Sequence, residues 1–194
     1  DNSNKFVYYW ATNPQKDIHA LVGPDEAYGN YENHGLQKTD DKGSVILKFN
    51  CPQPYVEDMT HPRHIHYLLE SSDKTWLSLK TIRVICTISL DDLDERIKER
   101  DTIIINALPR KYYDKDKIPG SFNLPTESLD KLTSESKIRK VKSFIKSIIK
   151  HYPKLDELIK DKRLKLEDVP IITYCAHSKC DASDKLIDHL YECK

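Results

Sequence analysis

Two groups of residues in this chain could do chemistry. The first is Cys51-Pro52-Gln53-Pro54-Tyr55, followed by His61-Pro62-Arg63-His64-Ile65-His66-Tyr67. Alternate side chains of a β-strand share a face, so His64 and His66 point the same way while Ile65 points into the opposite layer. Tyr55, on a strand end stiffened by Pro52 and Pro54, can bring a phenolate oxygen to the point where the imidazoles converge. Such nitrogen and oxygen donors suit a hard metal ion. The plain alternative is a pair of histidines on a solvated strand. The second group surrounds Cys175, which directly follows the run Pro170-Ile171-Ile172-Thr173-Tyr174 and precedes a helix starting near Asp181. Ligands of an open α/β sheet collect at the carboxyl ends of its strands, and the positive end of a following helix stabilises a thiolate there. Since the thiolate is the nucleophile, Cys175 is a candidate reactive cysteine. Its plain alternative is a small buried hydrophobe at a strand end.

The elements that must position the first group read as short strands. Lys5–Thr12 is β-branched and aromatic and stops at Asn13-Pro14. Residues 15–29 show no period and read as a loop. Asp40-Asp41-Lys42-Gly43 marks a tight turn before an alternating strand over 44–49. Strands are also expected at 64–69 and 75–79, with Trp76 in the core. Several short strands with frequent turns predict a β-sandwich.

From Thr81 the pattern changes. Residues 83–88 read as a strand, Ser89 caps a helix with Asp92 in the capping box, and Leu90, Leu93 and Ile97 share one face. Thr102–Asn106 is the short apolar run of a parallel strand covered on both sides. Ile138, Val141, Ile145, Ile148 and Ile149 form a helical stripe ending near His151, and Leu186, Ile187 and Leu190 form another after Asp181. Alternating strands and helices predict an α/β domain with a mainly parallel sheet. The two domains are expected at 1–83 and 84–194.

Composition excludes several function classes. The 194 residues hold 31 basic and 31 acidic side chains, so no net field attracts nucleic acid or an anionic membrane. No apolar run is long enough to span a bilayer, and the N-terminal residues do not read as a signal peptide. Five cysteines, an odd number with no Cys-x-x-Cys, suggest a reducing compartment and no structural zinc knuckle. The expectation is an intracellular, cytoplasmic protein.

Gly29-Asn30-Tyr31, Thr39–Val45, Pro52-Gln53-Pro54-Tyr55 and His61-Pro62-Arg63-His64-Ile65-His66 together resemble the core of intradiol ring-cleavage dioxygenases over about residues 6–90. That resemblance implies a transthyretin-like sandwich around a non-haem Fe(3+) held by Tyr31, Tyr55, His64 and His66, with zinc as the alternative metal. Tyr28 is close enough in sequence to be confused with Tyr31. His61 stands where the family has a catalytic arginine, so a role for it against an aromatic diol substrate is weaker than metal binding. The resemblance also makes the domain look trimmed at its start.

Ile118-Pro119-Gly120-Ser121-Phe122-Asn123-Leu124-Pro125 and Tyr174–Ser183 resemble the corresponding segments of rhodanese-like domains over about residues 84–194. By that resemblance Cys175 accepts sulfur from a small sulfur donor as a persulfide, with Lys179 and Ser183 in the substrate-binding loop. Ser178 and Cys180 replace the usual glycine and arginine of that loop, and Asn106-Ala107-Leu108 replaces the usual Asp-x-Arg. A Cys175–Cys180 redox pair is therefore an alternative. The family also continues beyond the equivalent of Lys194, which makes a fragment the expectation. The combined reading is a dioxygenase-like metal-binding domain fused to a sulfurtransferase-like domain. Its rival is a non-catalytic structural or interaction protein, such as a viral component, that reuses both folds.

Overall fold

β1 (Phe6–Ala11) alternates as its sequence demands, with Val7, Tyr9 and Ala11 buried on one face. The computed structural model describes residues 2–15, 21–177 and 179–193. They fold as two compact units that divide between Thr87 and Ile88.

In the N-terminal unit β1 is followed by a short helix α1 (Pro24–Tyr28), β2 (His34–Lys38), β3 (Tyr55–Val56), β4 (Thr60–His61), β5 (His64–Leu69) and β6 (Lys80–Arg83). An antiparallel sheet runs β2-β1-β5-β6, and β3 and β4 form a separate two-stranded ribbon. This departs from the expected sandwich, since no second packed sheet of comparable size is seen among the described residues. α1 occupies part of the segment read as a loop, started by Pro24 in the first turn where a missing N–H costs nothing.

The expected strand over 44–49 does not form. The Tyr9 hydroxyl instead donates to the Lys48 carbonyl at 2.8 Å and accepts from the Lys48 N–H at 3.2 Å, taking the groups a ladder would use. Residues 75–79 contribute only an isolated bridge, Glu70 with Trp76, and Trp76 is exposed rather than in the core. The strand expected over 83–88 ends at Arg83. Cys51 and Cys86 form a disulfide, a pairing that the odd cysteine count and its reading as a reducing compartment did not point to. That link ties the proline-rich segment before Tyr55 to the chain beyond β6, a constraint on the unfolded chain. No helix of the described residues is long and apolar enough to cross a membrane.

The C-terminal unit begins with α2 (Leu90–Glu99), whose N-cap Ser89 accepts the Asp92 N–H at 3.1 Å as the capping box predicts. The stripe read on this helix is not a core face, since α2 buries none of its residues. β7 (Ile103–Asn106), α3 (Arg110–Tyr113), β8 (Phe122–Asn123), α4 (Glu127–Asp130), α5 (Ser134–Ile148), α6 (Pro153–Lys160), β9 (Ile171–Tyr174) and α7 (Ala182–Glu192) follow. The sheet is parallel in the order β8-β7-β9. All four residues of β7 are buried, which is why its sequence reads as a continuous apolar run. Val141, Ile145 and Ile148 of α5 join Ile103, Ile105 and Leu186 in one core.

Gly35 lies opposite Tyr9 in the β1–β2 register. A Cβ at that position would overlap the Tyr9 phenol ring and hydroxyl, so the glycine makes room for the tyrosine that anchors the 44–49 segment. Gly35→Ala should destabilise the N-terminal unit by about 1–3 kcal/mol. Both tryptophans, Trp10 and Trp76, lie in this unit, so the change is measurable as a shift in denaturant midpoint by tryptophan fluorescence.

Candidate functional site

Pairing places Cys175 outside the sheet. Tyr174, the last residue of β9, aligns with Asn106, and the Ala107 N–H donates to the Tyr174 carbonyl at 3.0 Å. The Tyr174 hydroxyl accepts the Ile118 N–H at 3.1 Å and lies 2.9 Å from Ser121 Oγ, which pins the Ile118–Ser121 turn. Gly120 takes the left-handed φ of 78° that this turn requires. Cys175 therefore leaves the sheet at a strand end braced by a neighbouring loop.

The chain then bends back, with the Cys180 N–H donating to the His177 carbonyl at 2.9 Å. Cys175 Sγ lies 3.1 Å from the Cys180 carbonyl oxygen and 3.3 Å from Ser183 Oγ. Ser183 stands in the first turn of α7, where its carbonyl accepts from Thr173 Oγ1 at 3.3 Å. Thr126 Oγ1 donates to the neighbouring Ala182 carbonyl at 2.8 Å. The helix start is thus moored to β9 and to the residue preceding α4.

Burial by itself pushes the Cys175 thiol up. The hydrogen bonds from the Ser183 hydroxyl and the Cys180 thiol, then the backbone of Ser183 and of His177, outweigh it and hold the thiol below its ordinary 9.0. The stabilisation comes from these neutral donors rather than from Lys179. Lys179 is exposed, and its backbone N–H donates to His177 Nδ1 at 3.2 Å. Cys175, Ser183 and Cys180 are brought together, and Lys179 stands at the rim. Cys180 belongs to this site on geometry, and its spacing of five residues from Cys175 was the available signal.

The family model of the rhodanese-like domain matches residues 89–190, more than half of the chain. The chain belongs to the rhodanese-like family. No curated protein and no solved structure matches it. The family match stops short of the N-terminal unit, so the intradiol dioxygenase resemblance gains no support from the comparisons.

In that N-terminal unit the histidines and tyrosines of the first group do meet, with one exchange. Tyr28 Oη lies 3.0 Å from His66 Nε2 and 3.5 Å from His64 Nε2, and the two Nε2 atoms are 3.2 Å apart. Tyr55 is buried, packs edge-on against Tyr28 at 5.6 Å, and sets its ring 5.7 Å from that of His64. Tyr31 stacks on the outer side of Tyr28 at 5.3 Å and is 52% exposed. The reason is local: α1 ends at Tyr28, and the turn after it, through Gly29 and Tyr31 at positive φ, carries the Tyr31 ring outward. His61 stacks on Tyr55 at 4.7 Å, away from the meeting point.

The His64 Nδ1–H donates to the Pro62 carbonyl at 2.6 Å, which leaves its Nε2 as a lone pair aimed at Tyr28 and His66. His66 Nδ1 is 2.9 Å from Thr81 Oγ1. Burial lowers both imidazole pKa values from the ordinary 6.5 and, first among its causes, raises that of Tyr28. Among the described residues no group of three or more His, Cys, Asp and Glu could hold a metal. The separations among Tyr28 Oη and the two Nε2 atoms, 3.0–3.5 Å, are those of a hydrogen-bonded cluster of one phenol and two imidazoles.

The rhodanese-like site carries a direct test of its electrostatics. Alkylation of Cys175 by iodoacetamide should reach its midpoint below pH 9.0, because donors that bond the thiolate favour it over the thiol. Ser183→Ala removes the strongest of them and should move the midpoint upward. Mass spectrometry of the Cys175 peptide reads the rate, with buried Cys193 as the slow internal reference.

Proposed function

We propose that the rhodanese-like domain is a sulfurtransferase in which Cys175 carries the sulfur. The observation behind this reading is the collection of hydrogen-bond donors around one half-buried sulfur at the mouth between β9 and α7. A thiolate held there attacks the outer sulfur of a donor such as thiosulfate. A bond forms between Cys175 Sγ and that sulfur, the donor's own S–S bond breaks, and sulfite leaves with the electron pair. An acceptor thiolate next attacks the outer sulfur of the persulfide and regenerates the Cys175 thiolate. Lys179 at the rim supplies positive charge to draw an anionic donor, and Ser183 keeps the sulfur ionised. Wild type with thiosulfate and a thiol acceptor should release sulfite catalytically, and Cys175→Ser should reduce that release to background. Lys179→Ala should raise KM severalfold while leaving kcat nearly unchanged, as expected of a group that steers binding. Equal sulfite release by wild type and Cys175→Ser would reject the enzyme and favour a non-catalytic interaction module.

A second reading concerns the N-terminal unit, and the convergence of Tyr28, His64 and His66 favours it. In this reading the cluster binds non-haem Fe(3+) through Tyr28, Tyr55, His64 and His66, with Tyr31 outside the set and zinc as the alternative metal. A ferric ion would supply Lewis-acid and redox chemistry toward an aromatic diol. The chain's own part is to present the two Nε2 lone pairs, with the His64 ring orientation held by the Pro62 carbonyl and that of His66 by Thr81. Ferric reconstitution should give a visible phenolate-to-iron absorption that Tyr28→Phe weakens and shifts and Tyr31→Phe leaves unchanged. A colourless protein after reconstitution, or equal colour in both variants, would remove this ligand set.

A further inference from the structure

The reactive loop carries two thiols, and transfer from Cys175 to an external acceptor uses one. Cys180 lies five residues after Cys175 in the chain, at the position where the resemblance to rhodanese loops places an arginine. The loop folds back on itself through the Cys180 N–H bond to the His177 carbonyl, 2.9 Å long, and brings the Cys180 carbonyl to 3.1 Å from Cys175 Sγ. Both cysteines are half-buried and free of any disulfide, and Cys175 Sγ also lies 3.8 Å from the His177 carbonyl to which the Cys180 N–H is bonded. Cys193, the other free cysteine, is buried in the hydrophobic core beside Leu186 and Leu190 and cannot serve.

An arginine at position 180 would hold the anionic outer sulfur of a persulfide and its donor through fixed N–H groups. A cysteine there offers no such donor set and instead places a second nucleophile beside the same sulfur. We propose that Cys180 is the resolving thiol of this site, attacking Sγ of persulfidated Cys175 and discharging the outer sulfur as hydrosulfide. This rests on the reading that Cys175 is loaded with sulfur. In the step, a bond forms between Cys180 Sγ and Cys175 Sγ, and the bond from Cys175 Sγ to the outer sulfur breaks. The outer sulfur leaves with the electron pair and takes up the proton that Cys180 loses. The persulfide sulfur is thereby reduced to hydrosulfide, and the two cysteine thiols are oxidised to a disulfide. An external dithiol, itself oxidised to its disulfide, returns both cysteines to thiols. Hydrosulfide is a better leaving group than an alkyl thiolate because its conjugate acid is stronger, so attack at the inner sulfur is chemically reasonable. Ser183, bonded to Cys175 Sγ and fixed in the first turn of α7, keeps the attacked sulfur in place.

The test uses the whole chain with its thiols reduced, without oxygen and without added reductant. It is given a single equivalent of thiosulfate or, in parallel, glutathione persulfide, a donor with no sulfonate to bind. Wild type should release one sulfide per chain and end with a Cys175–Cys180 disulfide, seen as a linked peptide by mass. Loaded from thiosulfate, Cys180→Ser and Cys180→Ala should gain one sulfur on Cys175, keep it, and release no sulfide until an external thiol is added, and loaded from glutathione persulfide they should release sulfide more slowly than wild type and without a Cys175–Cys180 disulfide. A wild type that retains the persulfide as long as the two variants do would overturn the resolving role while leaving sulfur transfer intact. Failure of Cys175 to gain sulfur from either donor, in wild type and in both variants, would remove sulfur transfer and the resolving role together.

Discussion

The alignment of β9 on β7 is the constraint on which the reactive end of this molecule depends. β7 is buried throughout and is the central strand against which Ile171–Tyr174 is registered, residue for residue, up to Asn106 opposite Tyr174. Because that ladder ends at Tyr174, the next residue is the first whose side chain is free of the sheet, and it is a cysteine. Packing of α7 through Leu186 and Leu190 onto the same core then returns Ser183 to the sulfur. The site is a by-product of strand register and helix docking, and small changes in either would separate sulfur from hydroxyl before they unfolded the domain.

Seen from its sulfur, this site stabilises negative charge with neutral donors. Hydroxyl, thiol and backbone groups surround Cys175, and the cation of the loop, Lys179, is turned to solvent. Neutral donors at short range act within the hydrogen bond itself and are little screened by salt, whereas an exposed ammonium acts through a field that falls away within about 8 Å at physiological ionic strength. The groups that favour the Cys175 thiolate are therefore distinct from the charged side chain of Lys179.

The N-terminal unit meets a different requirement, the satisfaction of buried polar groups around aromatic rings. Tyr9 fills the space left by Gly35 and uses its hydroxyl to organise the 44–49 segment. Tyr28 is set by the end of α1, and His64 and His66 by β5, so that one hydroxyl and two imidazole nitrogens lie within hydrogen-bonding distance of one another. The Cys51–Cys86 disulfide holds the segment leading to Tyr55, the fourth member of that cluster. The aromatic stacking of Tyr31 on Tyr28 and of His61 on Tyr55 encloses the cluster from its two sides.

Periodicity and capping were strong enough in the sequence to specify the C-terminal unit. Ser89 with Asp92, the β7 run, the α5 stripe and the step from Ile171–Tyr174 to Cys175 all report local physics, which is the same in the isolated sequence as in the fold. The rhodanese-like loop was legible for that reason, since its chemistry lies within nine consecutive residues. The N-terminal unit was not legible to the same degree. Its β2, His-Gly-Leu-Gln-Lys, has little apolar content and exists because Tyr9 and Gly35 fit each other across the ladder. The alternating residues 44–49 lost their strand to hydrogen bonds from a tyrosine more than thirty positions away. The resemblance points to Tyr31, three residues after Tyr28 on an unpatterned segment, whereas the structure brings Tyr28 to His64 and His66, because α1 stops at Tyr28 and the left-handed turn begins there. Local pattern determined which residues could do chemistry, whereas long-range packing of rings and pairing of cysteines decided which of them meet.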